Sequence, residues 1–173
     1  MALNRLDSNS SSRTIGWFVS DQEDIILDPP YQRGVVWGVN RQRAFIKSLL
    51  SEYPVPAIIV NDRFGAKFSH PGYSRDECWS HVVIDGKQRI TSMREFTAGN
   101  ITVPADWYPV NQILEEAQGK TEVNYLELTT AGQRFFRQRS IPVCEAKVAT
   151  LDEEAEIFET INTAGLAQGD SDL

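Results

Sequence analysis

Long apolar runs are missing from this sequence, and none approaches the roughly 18 residues that a membrane-spanning helix needs. Cysteine is scarce as well. The two present, Cys78 and Cys144, are too few and too far apart for a disulfide framework or a zinc site, so free thiols in a reducing cytoplasm are expected. Histidine is equally sparse: His70 and His81 have no metal-ligand spacing with each other or with either cysteine. A Walker-type glycine loop and a G-x-S-x-G elbow are both lacking. So is an excess of positive charge. The formal net charge of −7 argues against a protein that coats DNA by bulk attraction.

What is present suits one soluble domain. The chain has 173 residues, 41 % of them hydrophobic, which is enough to bury a core over about two-thirds of its unfolded surface. Residues 1–14 read as a flexible leader, Ser- and Asn-rich through residue 12 and without the apolar segment of a secretory signal. Residues 15–173 form the domain. The charge is unevenly spread: 31–47 holds Arg33, Arg41, Arg43 and Lys47 with no acid, whereas 151–173 holds seven acids and no base. Such an acidic chain with a local basic pocket favours a small anionic ligand, or a short phosphate stretch, over extensive duplex contact.

The elements follow in mixed order. Residues 15–19 and 25–27 read as short strands, and Pro29-Pro30 breaks the ladder by fixing φ and removing donors. Asn40 is a plausible cap for a helix carrying Phe45, Ile46, Leu49 and Leu50. The apolar runs 57–60 and 81–84 read as buried strands. Ile90, Met93 and Phe96 mark a helix stopped by Gly99 or Asn100. Residues 101–127 look like an insertion, 129–139 like a basic helix, and 141–148 like an alternating strand. Asp152 would cap a last helix ending at 162–165, and the acids at 152–156 would merely suit its macrodipole. The sum is an α+β domain with helices packed on a mixed sheet.

The most informative piece is the junction Ile84-Asp85-Gly86-Lys87-Gln88-Arg89. Glycine lets the backbone approach a ligand closely, and the first amides of the following helix offer unpaired N–H groups to an anion. Lys87 or Arg89 would add charge and Gln88 a neutral hydrogen bond, leaving Asp85 for a ribose hydroxyl, a Mg²⁺ ion or an orienting arginine. From spacing alone, a plain helix cap with a solvated basic face is an equally good reading. Upstream, Tyr31-Gln32-Arg33 follows two prolines and precedes Trp37. The planar fork of Arg33 suits phosphate, or a carboxylate such as Asp85 or Asp28.

Together, Tyr31-Gln32-Arg33 with Trp37, the segment 83–93, and Phe158-Glu159-Thr160-Ile161-Asn162-Thr163-Ala164-Gly165 resemble, in order, three signatures of the N-terminal domain of GmrSD-type restriction endonucleases. The likeness covers about residues 25–173. It implies a ParB/sulfiredoxin-like fold with a site built from Asp85, Gly86, Gln88 and Arg89 near residues 31–33. It further implies nucleoside triphosphate binding and hydrolysis with Mg²⁺, or the sensing of modified DNA, in a restriction, phage-defence or counter-defence system. Asp85, Gln88 and Arg89 would be catalytic, Asp85 would also meet the metal, and Tyr31, Gln32, Arg33, Gly86 and Lys87 would hold the nucleotide. Lys87 stands where many relatives carry glutamine. The HNH-type nuclease that usually follows is not expected here, so a separate nuclease subunit is the implied partner, and a homodimer is compatible with the sequence. The alternative is a non-catalytic DNA- or protein-binding module that uses Arg41, Arg43, Lys47, Arg134, Arg137 and Arg139. A stand-alone nuclease ranks last, because Asp85 is the one credible carboxylate near the basic loop.

Overall fold

The computed structural model describes residues 6–20, 24–32, 36–73 and 81–166, the last three as backbone. Twelve helices and strands organise them: β1 (Ser8–Thr14), α1 (Ile15–Ser20), β2 (Ile25–Ile26), α2 (Val39–Leu50), β3 (Ile58–Asp62), β4 (His81–Asp85), α3 (Lys87–Thr97), β5 (Thr102–Pro104), β6 (Glu122–Asn124), α4 (Thr130–Arg137), β7 (Ser140–Ala146) and α5 (Leu151–Leu166). Five strands form one mixed sheet in the order β1-β7-β3-β4-β2. Pairing is antiparallel for β1 with β7 and for β3 with β4, and parallel for β3 with β7 and for β2 with β4. The chain is therefore α+β. No described helix is long and apolar enough to cross a membrane.

The two central strands explain their own apolar composition. Alternation along a strand sends successive side chains to opposite faces. Ile58, Val60 and Val83 enter the main core beneath α1, α2 and α3, while Val82, Ile84 and Ile59 meet Ile157 and Phe158 of α5 on the other face. In α3, Ile90, Met93 and Phe96 are fully buried, as their helical spacing predicts. Phe96 makes edge-to-face contact with Phe136 at 4.9 Å and with Tyr125 at 5.7 Å.

Several local expectations give way. The apolar stretch predicted as a strand at 15–19 is helix α1; Ile15 and Phe18, three apart, are its buried residues. A short apolar run fits either period, and only packing decides between them. The expected flexible leader is, from Ser8 onward, an edge strand zipped to β7. Its pairing uses backbone groups that composition does not report. Helix α2 starts two residues earlier than a cap at Asn40 allows, with Gly38 as its cap residue and no side-chain cap. Residues 101–127, read as an insertion, carry short elements of their own and also contribute to the core. A β5–β6 hairpin and short 3₁₀ turns bury Ile101, Val103, Tyr108, Ile113 and Val123 in the main core.

Helix α5 differs most from its reading. Thr150 and Glu153 cap it reciprocally: the Glu153 carboxylate accepts from Thr150 N–H at 3.0 Å, and Thr150 Oγ1 accepts from Glu153 N–H at 3.3 Å. Asp152 is not the cap. The helix runs to Leu166, one residue past the expected end at 162–165, and Asn162 Nδ2 donates to Phe158 O at 2.8 Å.

Replacing Phe96 by Ala should cost about 3–5 kcal/mol, the usual range for emptying a buried aromatic site. Denaturant melts of wild type and variant give the difference directly, and a loss under about 1 kcal/mol would show that the site collapses around the void.

Candidate functional site: a cleft at the start of helix α3

The junction between β4 and α3 is shaped by Gly86. Its φ of 108° lies in the left-handed region, and an added Cβ would stand 3.0 Å from a methylene carbon of Ile58. Glycine is needed on both counts. The turn is braced from below by Arg89, only 7 % exposed. Its Nη2 donates to Asp85 Oδ2 at 2.6 Å, and its Nη1 donates to the carbonyls of Pro56 at 2.6 Å and Ala57 at 3.2 Å. Arg89 thus ties the end of β4 to the chain entering β3, and its guanidinium is largely spent on that work. Lys87 pairs with Asp28 at the surface. Gln88 Oε1 accepts from Trp37 N–H at 3.0 Å, pinning the loop before α2 to the start of α3. No side chain caps α3 and its first turn holds no acid, so Asp85, one residue before the cap, is the carboxylate nearest in sequence to the positive end of its dipole.

Above this turn opens a cleft of about 550 Å³, lined by Gln32, Trp37, Arg41 and Phe45, by Pro56, by Asp85 through Arg89, and by Phe158 and Asn162. The volume falls in the usual range for small-molecule sites, roughly 300–1,000 Å³. All three sequence signatures supply walls to it. Arg33 lies outside the described residues. Gln32 is held by donating Nε2 to Ile84 O at 2.9 Å and Val83 O at 3.4 Å, which leaves Oε1 buried without a partner among the described residues.

Tyr31 does not line the cleft. Its hydroxyl donates to Glu154 Oε2 at 3.3 Å, and its ring packs 5.8 Å from Phe158. Burial first, and then the Glu154 charge, push the Tyr31 phenol well above its ordinary value. Glu154 itself is fully buried. Its carboxylate accepts from Arg63 Nε at 2.9 Å, Arg63 Nη2 at 2.8 Å and Asn61 Nδ2 at 2.8 Å. Burial works to lower the Arg63 guanidinium's pKa, but the hydrogen bond and charge of Glu154 outweigh it, so the net direction is upward. The Arg63 guanidinium lies 4.1 Å from the Phe68 ring centroid and 4.8 Å from that of Tyr73. The expectation that the acids at 152–156 only complement a macrodipole is therefore corrected. One of them anchors α5 on the sheet and so sets the cleft wall formed by Phe158 and Asn162. Residues 154, 158 and 162 recur every four positions, a single helix face; that spacing was the signal available in the sequence.

The other basic residues are dispersed. Arg43 pairs with Glu122 at 2.9 Å and Arg139 pairs with Glu52. Arg137 donates to Ser20 Oγ at 2.6 Å. Lys47 sits 5.7 Å from the Trp107 ring centroid, and Arg134 is exposed on α4. Among the described residues no group of three His, Cys, Asp or Glu side chains could hold a metal ion. Asp85 is the only carboxylate among the described residues lining the cleft, with Oδ2 already engaged by Arg89. That suits a cation arriving with ligand phosphates and not a protein cage.

Two substitutions probe this construction. Glu154→Gln should destabilise the fold by about 3–5 kcal/mol, because it strands a buried guanidinium. Chemical denaturation measures it, and a loss below about 1 kcal/mol would remove the anchoring role. Gly86→Ala should cost about 1–3 kcal/mol from backbone strain alone. A thermal melt that matches wild type would mean that the turn relaxes without glycine.

The family model for the GmrSD restriction endonuclease, N-terminal domain, matches residues 15–173. Neither the curated proteins nor the solved structures offer a match.

Proposed function

The chain belongs to the GmrSD restriction endonuclease N-terminal domain family, and from that premise we propose that it is a nucleotide-binding and NTP-hydrolysing module of a DNA restriction system. The α+β architecture accords with the ParB/sulfiredoxin-like fold of the earlier resemblance. One observation carries the reading: the three signature segments, far apart in sequence, wall a single cleft around an uncapped helix start.

In this reading the phosphates lie against the first amides of α3, those of Lys87 and Gln88, where unpaired N–H groups and the dipole both favour negative charge. The Lys87 ammonium adds charge after exchanging Asp28 for the ligand. Gln88 keeps Oε1 on Trp37 and turns the Nε2 hydrogens toward a phosphate oxygen. Asp85, oriented by Arg89 through Oδ2, keeps Oδ1 for a water molecule or for the cation that accompanies the triphosphate. A Mg²⁺ ion bound there with the nucleotide would neutralise charge on the phosphate oxygens. Arg89 then acts by positioning Asp85, not by touching phosphate. Within a restriction system, a separate nuclease subunit acting on DNA would respond to the nucleotide state, and a homodimer is one form in which the module could work.

The test has two parts. Thermal shift with ATP or GTP and Mg²⁺ at about 100 times the dissociation constant should add about 2.7 kcal/mol of stability, and Lys87→Ala should reduce the gain. Phosphate release should fall by about 10²–10⁴-fold in Asp85→Asn if that carboxylate serves as base, with nucleotide affinity largely kept. Wild-type protein that neither shifts nor releases phosphate with any nucleoside triphosphate would end this proposal.

A further inference from the structure

We infer that Arg41 and the Trp37 ring it lies on are the ligand-recognising pair of the cleft, and that they select an aromatic-bearing anion, a nucleotide, over a bare polyphosphate. This rests on the nucleotide reading above and deepens it.

Charge accounting singles out Arg41. Of the described cations lining the cleft, Lys87 is paired with Asp28 and Arg89 with Asp85. Arg41 is exposed and has no carboxylate partner among the described residues; its guanidinium instead lies 4.5 Å from the Trp37 ring centroid. The ring restrains the planar guanidinium without consuming its N–H donors, so the fork is left for an incoming phosphate. Arg43, two residues on, turns away to Glu122, and sequence alone groups the two on one basic face.

The platform beneath Arg41 is equally fixed. Trp37 meets Phe45 edge-on at 5.9 Å, and its backbone N–H is held by Gln88. The helix start that would take phosphates therefore also sets the position of the ring that would take a base. Stacked guanidinium and indole planes present a flat surface of the kind on which nucleobases stack, and Phe158 and Pro56 keep the cleft partly apolar. A bare polyphosphate has no use for these groups.

Titration calorimetry on the full chain decides the matter, with ATP, GTP and inorganic triphosphate as probes, each with Mg²⁺. Wild type should prefer a nucleotide to triphosphate by roughly tenfold or more, and Arg41→Ala should weaken nucleotide binding by roughly tenfold. Arg41→Lys should fall between the two, keeping charge but losing the planar stack. Trp37→Leu should erase the preference and leave triphosphate affinity within about twofold. Trp37→Phe, which retains a ring, should restore part of the preference and so separates recognition from a general loss of folding. Lys120→Ala, on the remote Lys120–Glu127 pair, should match wild type. If wild type binds nucleotide and Arg41→Ala binds it equally well, or triphosphate binds wild type as tightly as a nucleotide, this inference alone is overturned. If wild type binds no nucleotide, the underlying reading falls and takes this one with it.

Discussion

A fully buried ion pair, Glu154 with Arg63, holds the second face of the sheet together. The face covered by α1, α2 and α3 has a large apolar core, but α5 is joined to the other through a small cluster around Val82, Ile84 and Ala146. So small a cluster leaves much of its attachment to polar contacts. The carboxylate is fully met: Arg63 donates to it through two nitrogens, and Asn61 and Tyr31 supply further hydrogen bonds, while Arg63 Nη1 is buried without a hydrogen-bond partner among the described residues. Buried charge is costly unless it is met in this way. Since α5 carries Phe158 and Asn162, the pair also fixes one wall of the cleft, and through Tyr31 it fixes the loop that delivers Gln32 to the same place.

The cleft shows how an acidic chain can keep a place for an anion. Its basic residues divide into those already neutralised and those left over. Arg89 is spent on Asp85 and two carbonyls, Lys87 meets Asp28 at the surface, and Arg41 rests on an aromatic ring. The start of α3, which no side chain caps, adds partial positive charge. Net charge describes solubility and long-range attraction; what a ligand meets inside a cleft is this local remainder.

Legibility in the sequence followed the range of the interactions. The central strands and α3 were readable because burial on one or two faces writes a period into the residues themselves, as in Ile90, Met93 and Phe96. The Asp85–Arg89 junction was readable because a glycine between a buried strand and a helix has few other uses. Helix α1 was misread because its short apolar run suits either period, and β1 because an edge strand of serines is held by backbone groups. The role of Glu154 was hidden in a run of acids, and only its four-residue spacing to Phe158 and Asn162 on one helix face separates it from those that face water.

By itself, the sequence determined an α+β class, a buried β4, a glycine at the junction between that strand and a helix, and a family identity resting on three short segments. Each is a local property, written by side-chain period, backbone freedom or residue type. Only the tertiary structure decided that the three segments wall one cleft, that Arg89 braces the turn while Arg41 is left without a carboxylate partner, and that Glu154 anchors the helix completing the site. Those outcomes depend on which charges find partners across the fold, and the chain must close on itself before any such partner exists.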